Sequence, residues 1–375
     1  MKIAIHCADL DHSRIDGTRV YILNMLRNFG VLSHDERFFL YHRKDFNPQL
    51  APPKLENYYF RKHDFPFMWT QTRFALDVWK DKSDILWLPM LNLPLLRKKN
   101  LRTVVTVHDL AFKRFPQYFP KGDLRKLNLL SDYSIANATK LIAVSESTKR
   151  DILEFYPKRK ESDIKVVHHG FDCDLFEKKI EPNFERTILN NYGLTPKGYL
   201  LYVGAIQPRK NLEVLVEAFE KIKPSHSDLK LVIAGEKAWM WERTLERIER
   251  SPAKDDIILT GKVPFSQLPV LYRNAKIFVF PEKFAGFGIP ILEAFACGTP
   301  VVAAHNSSLV EVGNGAALYF ETENSDDLRA RIESVIADDD MKKRMVVLGK
   351  ERAKEFSWEK CAHETLEWIK SAGNI

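Results

Sequence analysis

The chain has 375 residues, 45% of them hydrophobic and 29% charged, with a formal net charge of +7. That length exceeds one compact core and points to two domains, and the composition is that of a soluble globular protein. The basic excess comes without a recognition-helix, zinc-knuckle or RNA-binding signature, which argues against nucleic acid as a partner.

Apolar runs of strand length alternate with helical periodicity almost throughout, which predicts an α/β fold with parallel sheets. Strands are expected at 2–7, 38–41, 85–87, 102–107, 140–144 and 165–169, with helices at 18–29 and 146–155. A charged, proline-containing segment at 177–183 is the linker candidate, after which the pattern restarts. Further strands are expected at 199–203, 230–234, 257–259, 277–280 and 301–304, with helices at 211–222 and 239–250. A last helix is expected at 356–371, with Trp358 and Trp368 to bury. The predicted division is 1–180, then 181–355, then a C-terminal helix within 356–375 crossing back to the first domain. Two doubly wound domains facing across a deep cleft, with ligands at the C-terminal ends of the strands, is the architecture this implies.

The loops that follow strands carry the chemistry. The loop at 8–17 holds one useful glycine, Gly17, ahead of a helix. It contains no G-x-G-x-x-G, which weakens a nicotinamide-dehydrogenase reading. His108 directly follows the strand at 102–107, where a histidine is either a satisfied structural residue or a site residue. In Gly204-Ala205-Ile206-Gln207-Pro208-Arg209-Lys210-Asn211, two adjacent cations stand at a helix N-terminus and oppose the helix dipole. Arg209 and Lys210 make sense there as a clamp on an anion such as a diphosphate, the alternative being a solvated basic turn.

The stretch 281–300, PEKFAGFGIPILEAFACGTP, is the most informative. The turn Gly286-Phe287-Gly288 runs into Pro290 and an apolar segment with one carboxylate, Glu293. Proline at a helix start has its φ already set, and free N–H groups in a first helical turn form an anion site. An ionised carboxylate on an otherwise greasy helix is costly without a partner. Together an anion-binding turn and a hydroxyl-binding carboxylate suit a nucleotide's phosphates and ribose. The alternatives are an ordinary strand-helix-strand unit in which Glu293 caps or pairs, and a membrane span over 284–304. Pro290, Pro300 and the glycines make that span a poor one.

D-x-D pairs of the kind used by metal-dependent sugar transferases occur at Asp9/Asp11, Asp172/Asp174 and Asp338/Asp340. Only Asp9 and Asp11 are placed to face a cleft. Arg209 and Lys210 already supply positive charge, so no metal and no cofactor are expected. The four cysteines, Cys7, Cys173, Cys297 and Cys361, form neither a disulfide framework nor a zinc spacing, which favours a reducing compartment. The N-terminus, MKIAIHCADL, lacks the long apolar core of a signal peptide. A cytoplasmic protein is expected, peripheral at most. Basic clusters with aromatics at 60–62, 97–99, 113–115 and 121–126 are compatible with an anionic membrane surface as well as with solvated faces.

Taken together, these motifs resemble the family 4 glycosyltransferases, which have the two-domain GT-B fold. The resemblance runs in order through Val105-Thr106-Val107-His108-Asp109-Leu110, Ala143-Val144-Ser145-Glu146-Ser147, His169-Gly170-Phe171-Asp172 and Tyr202-Val203-Gly204 with Pro208-Arg209-Lys210-Asn211-Leu212. It continues through the block from Gly286 to Pro300, Ser307-Ser308-Leu309-Val310-Glu311-Val312 and Phe356-Ser357-Trp358. The nearest flavour is that of bacterial mannosyl- and rhamnosyl-transferases of polysaccharide synthesis.

The resemblance implies a retaining, metal-independent transfer of a hexose, mannose favoured, from GDP-mannose or another nucleotide sugar to a glycan or lipid-linked acceptor. It implies that Lys210, with Arg209, holds the donor diphosphate, that Glu293 accepts the ribose hydroxyls, and that His108 reaches the donor sugar. Backbone N–H groups of Gly286, Phe287 and Gly288 would contact the sugar or its phosphates, and Gly17 would let the first loop approach the diphosphate. Gly204, Lys262, Val263 and Ile289 complete the implied donor contacts. Some positions depart from the family pattern. The first glutamate of the family's pair falls on Ala285, with Glu282 upstream of it; the arginine after the third loop's glycine is Ala205; and Thr18 and Arg19 stand where a second glycine is usual. A catalytically impaired relative acting as a nucleotide-sugar-binding or scaffold subunit is the alternative these departures raise.

Overall fold

The computed structural model of the protein describes residues 1–13 and 15–373. It divides into two compact units. Met1–Arg114, Lys121–Gly170 and the segment from Ser357 form the first; Phe115–Pro120 and Phe171–Phe356 form the second. The division thus falls at Gly170 rather than at 180, because Phe171 and Phe176 are buried at once in the second unit. The Phe176 ring lies 5.8 Å from that of Tyr272. The linker candidate at 177–183 holds the end of one helix, Cys173–Glu177, and the start of another, Pro182–Asn191. Asn374 and Ile375, the end of the predicted C-terminal segment, lie outside the described residues.

The first unit is built on a seven-stranded sheet of β1 (Lys2–His6), β2 (Arg37–His42), β3 (Tyr58–Lys62), β4 (Ile85–Leu88), β5 (Arg102–Val107), β6 (Lys140–Ala143) and β7 (Ile164–Val166). The order is β3-β2-β1-β4-β5-β6-β7, every pair parallel, with Ala4 of β1 opposite Phe39 on one side and Leu86 on the other. Central strands covered on both faces read as unbroken apolar runs, and Ile3, Ala4 and Ile5 are fully buried. β3 escapes that pattern because it is an edge strand ending in Arg61 and Lys62. The C-terminal helix, Trp358–Ala372, begins at Ser357, whose side chain accepts from Lys360 N–H. It packs in this unit: Trp368 Nε1 donates to the Leu141 carbonyl at 2.9 Å, and Lys140 Nζ lies 4.0 Å from the Trp368 ring centroid.

The second unit carries a six-stranded parallel sheet of β8 (Tyr199–Val203), β9 (Lys230–Ala234), β10 (Ile257–Gly261), β11 (Ile277–Phe280), β12 (Val301–Ala304) and β13 (Leu318–Phe320), in the order β10-β9-β8-β11-β12-β13. The short edge strand β13 had no sequence signal of its own. In each sheet the chain winds outward in one direction, returns to the middle, and winds outward in the other. The reversals lie between β1 and β4 and between β8 and β11. Open α/β sheets bind ligands at such reversals, beyond the carboxyl ends of the strands. Among the described residues no helix is long and apolar enough to cross a membrane, and the suspected span at 284–304 is a short helix, Ile289–Ala296, followed by β12.

Candidate functional site

In the second unit, the loops flanking the reversal are laced together. The loop after β8 meets the loop after β11 through Lys283 N–H to the Arg209 carbonyl at 3.0 Å. Asn211 Nδ2 donates to the Pro281 carbonyl at 3.0 Å, and Arg209 Nη1 donates to the Phe284 carbonyl. Asn211 takes a left-handed φ of 57° as the 204–211 loop turns into the helix Leu212–Ile222. The loops after β8 and β9 approach so closely that a Cβ on Gly235 would stand 2.0 Å from the Gly204 carbonyl oxygen, so only glycine fits there.

Arg209 and Lys210 are not a bare cationic clamp. Glu282, 1% exposed, forms an ion pair with Lys210 Nζ and lies 3.6 Å from Arg209 Nη1. The cluster therefore carries one net positive charge rather than two. Burying a carboxylate this deeply demands such partners, which explains why Glu282 cannot stand in for the carboxylate missing at Ala285. The pairing joins residues 72 positions apart and leaves no local signal in the sequence around Glu282. The same loop keeps two buried polar atoms without hydrogen-bond partners, Arg209 Nε and Gln207 Oε1. Orphaned buried groups cost about 1–3 kcal/mol each, and their grouping on one loop marks it as a place built for something else to bind.

Gly288, with φ 111°, lets the 286–288 turn enter the helix Ile289–Ala296; a Cβ there would be strained and 3.1 Å from Leu309 Cδ2. The turn is pinned from beneath by Ser308, whose hydroxyl lies 2.8 Å from the Ala285 carbonyl and 2.7 Å from that of Phe287. The first helical turn offers fewer N–H groups than the sequence suggests. Pro290 has none, and Ile291 N–H is taken by the Gly288 carbonyl at 3.0 Å. Glu293 is one turn further in, 7% exposed, and accepts from Tyr272 Oη at 2.7 Å. Burial raises its pKa to about 7; the Tyr272 bond opposes that rise and the charge of Asp172 adds to it. Tyr272 is the partner the greasy helix needed, and nothing in its own sequence context marked it. Lys262, exposed, and Val263, half-buried, follow β10 at the edge of the sheet.

In the first unit the reversal is lined differently. His108, after β5, donates from Nε2 to the Pro89 carbonyl at 2.9 Å, beyond β4. A carbonyl only accepts, so Nδ1 is the unprotonated nitrogen and accepts from His169 Nε2 at 3.3 Å. Burial lowers the pKa of His108, and lowers that of His169 much further with help from the neighbouring histidines. The Tyr21 ring packs against both, at 5.0 Å and 4.7 Å. Both His108 nitrogens thus have protein partners, so any sugar contact from the ring exchanges one of these bonds. Gly17 is exposed at the start of the helix Gly17–Leu32, where Asp16 caps Arg19 N–H. Where a second glycine was expected, Arg19 pairs with Asp16 and donates from Nε to the Asp9 carbonyl at 3.0 Å, filling the loop.

Each D-x-D pair has a carboxylate committed to the fold. Asp11 accepts from Lys44 N–H at 3.1 Å, Asp172 caps Leu175 N–H and Asp338 caps Met341 N–H.

Residues 185–352 match the family model described as glycosyl transferases group 1, and residues 15–175 match glycosyltransferase family 4. The chain is 32% identical over 273 residues to O-antigen chain mannosyltransferase B of Escherichia coli, a match covering 72% of this chain and 70% of that protein. It is 26% identical over 278 residues to the serotype-specific mannosyltransferase WbdA of Escherichia coli, across 71% of this chain but only 33% of WbdA. Among solved structures, Anabaena Alr3699/HepE in complex with UDP and glucose superposes with a TM-score of 0.75 at 17% identity, over 99% of this chain and 100% of that one. At that identity the likeness is one of fold, the GT-B architecture.

Proposed function

The chain belongs to the family 4 glycosyltransferases, and from that premise we propose a retaining, metal-independent hexosyltransferase that moves mannose from GDP-mannose, or a related nucleotide sugar, to a glycan or lipid-linked acceptor. One observation carries the reading most: Arg209, Lys210 and the 286–288 turn stand on the two loops that flank the second unit's chain reversal, hydrogen-bonded to one another. The mannosyltransferase relative supports the choice of sugar. The four free cysteines suit a cytoplasmic setting.

In this reading the bond from sugar C1 to the leaving phosphate oxygen breaks as a bond from the acceptor oxygen to C1 forms on the same face. The leaving oxygen takes the acceptor's proton. Negative charge growing on the diphosphate is met by Lys210 and Arg209, and Glu282 keeps the two cations side by side without a partner-free excess of charge. Glu293 accepts the ribose hydroxyls from below the turn. His108 and Gly17 are the residues of the first unit to which this reading gives donor contacts. Catalysis is then positioning and charge stabilisation, which need no metal.

The test is transfer by the purified protein across GDP- and UDP-sugars, with and without EDTA, and assignment of the product anomer by NMR. GDP-mannose as the preferred donor, an axial product linkage and no effect of EDTA are expected. Preference for a UDP-sugar overturns the donor, an inverted anomer overturns retention, and loss of activity on chelation overturns metal independence.

A further inference from the structure

The basic clusters marked in the sequence do not all remain available in the fold. Arg61 pairs with Asp81, Lys62 with Asp45, Lys113 with Asp132, and Arg114 with both Asp151 and Glu154. Phe115 belongs to the other unit. What is left is one face of the first unit, where three segments meet, 67–82, 95–99 and the helix Lys121–Asn137. Gln71 joins the first two: its Oε1 accepts from Leu95 N–H at 2.8 Å. Arg97 joins the third by donating from Nη1 to Tyr133 Oη at 2.6 Å, on the helix Lys121–Asn137.

This face presents large apolar side chains to water. Leu96 is 70% and Leu129 73% exposed, and Phe67, Met68, Leu76, Trp79 and Leu95 are exposed beside them in sequence or across the Gln71 and Tyr133 bonds. Leu129 lies one helical turn from Tyr133, and Arg125 and Lys126 precede it by one turn, both exposed. Lys98 Nζ lies 5.7 Å from the Trp79 ring centroid, and Lys99, Lys80 and Lys82 are exposed nearby in the chain. A contiguous apolar patch rimmed by polar groups marks an interaction site. Here the rim is predominantly cationic: of the acids on the same segments Asp77, Asp81 and Asp132 are paired with Arg73, Arg61 and Lys113, and Asp123 is exposed at the start of the helix Lys121–Asn137.

We propose that this face docks the protein on an anionic bilayer, with Trp79, Leu95, Leu96 and Leu129 entering the headgroup boundary and Lys98, Lys99, Arg125 and Lys126 meeting the lipid charge. An apolar wedge in a basic rim is the chemistry of interfacial membrane binding. A two-fold contact with a second copy fits less well, because it sets the same basic rim against itself. The proposal stands apart from the transferase reading, since binding is measured without a sugar donor.

The experiment is co-sedimentation of the full chain with phosphatidylcholine vesicles, with and without about one-third phosphatidylglycerol, at low and high salt. Wild type should bind only the anionic vesicles and release as salt rises. Leu96→Ser/Leu129→Ser and Lys98→Glu/Lys99→Glu should each bind about tenfold or more weakly, with unchanged thermal unfolding and unchanged donor turnover in solution. Failure of wild type to bind anionic vesicles at low salt overturns the proposal. So does equal binding by the variants, or a lipid-free dimer of wild type that the variants abolish, which would give the face to a second copy.

Discussion

The two chain reversals are the same topological feature built with opposite chemistry. Between β8 and β11 the lining is ionic: Arg209, Lys210 and Glu282 in contact, with Glu293 beneath the adjoining turn. Between β1 and β4 the strand ends carry an aromatic cluster without fixed charge, beside the Arg19–Asp16 ion pair of the loop after β1: His108 and His169 share a hydrogen bond against Tyr21, and burial keeps both imidazoles uncharged. Fixed charge in a partly buried site is suited to gripping a diphosphate. A neutral, hydrogen-bonded ring set is suited to sugar hydroxyls and apolar sugar faces.

The largest expected effect falls on the ionic side. Lys210→Ala should lower turnover about 10²- to 10³-fold, the scale for losing one charge-stabilising donor. It should also destabilise the fold, because Glu282 stays buried with only Arg209 beside it. Lys210→Ala/Glu282→Ala should recover the stability and not the turnover. Recovery of both would reduce Lys210 to a structural counter-ion and erase the contrast between the two reversals.

Glu293→Gln should weaken nucleotide binding about tenfold above neutral pH, since one hydrogen bond to a charged acceptor is lost. With a folded pKa of about 7, wild-type affinity should rise as pH climbs through that value, and the rise should vanish in the variant. The sign for stability is the reverse. A carboxyl raised from 4.5 to about 7 binds its proton more tightly when folded, so its contribution falls as pH rises between those values, by up to about 3 kcal/mol. Glu293→Gln should therefore be the more stable protein at pH about 8. Wild-type affinity at all pH values would remove Glu293 from the ribose.

How far all this could be read from the chain differs between the two regions as well. The strands of both sheets were legible because parallel strands buried on both faces are unbroken apolar runs; Lys2–His6 and Ile277–Phe280 are plain examples. The edge strands Tyr58–Lys62 and Leu318–Phe320 were not, since half of each faces away from the core. Arg209, Lys210, Gly288 and Glu293 stood out because charge at a helix start, a left-handed turn and a lone carboxylate violate local rules. Glu282, Tyr272 and His169 did not, because what they do depends on partners far away in sequence: Lys210, Glu293 and His108. Two of the basic clusters, 60–62 and 113–115, look the same in sequence as the other two but spend Arg61, Lys62, Lys113 and Arg114 on carboxylates elsewhere in the chain.

A smaller effect tests the neutral side. Histidines whose folded pKa is lowered take up protons only on unfolding, so stability is lost as pH falls below about 6.5, by up to about 1.4 kcal/mol per histidine per pH unit. His6, also lowered by burial, adds a share of the same sign. Urea unfolding between about pH 5 and 7 should show this slope less the opposing contribution of Glu293, and His169→Gln should lower the net slope while leaving nucleotide affinity unchanged. An unflattened slope would mean the pair is charged in the folded protein, and the two reversals would then not differ as described.

The smallest effect is the most discriminating, because it moves one pKa without touching a charge. Tyr272 Oη donates to Glu293 Oε2 at 2.7 Å and is the largest influence holding that carboxyl's pKa down against burial. Tyr272→Phe keeps the ring, its packing against Phe278 and Phe176, and the apolar volume. Only the donated bond is lost. Glu293 should then ionise at higher pH, and the midpoint of the affinity rise should move upward by about one unit or less. Affinity well above that midpoint should match wild type, since the ionised carboxylate is the same acceptor once formed. A plain fall in affinity at every pH would mean that Tyr272 shapes the pocket rather than the proton on Glu293, and a midpoint that stays at about 7 would mean that the pH dependence comes from another group.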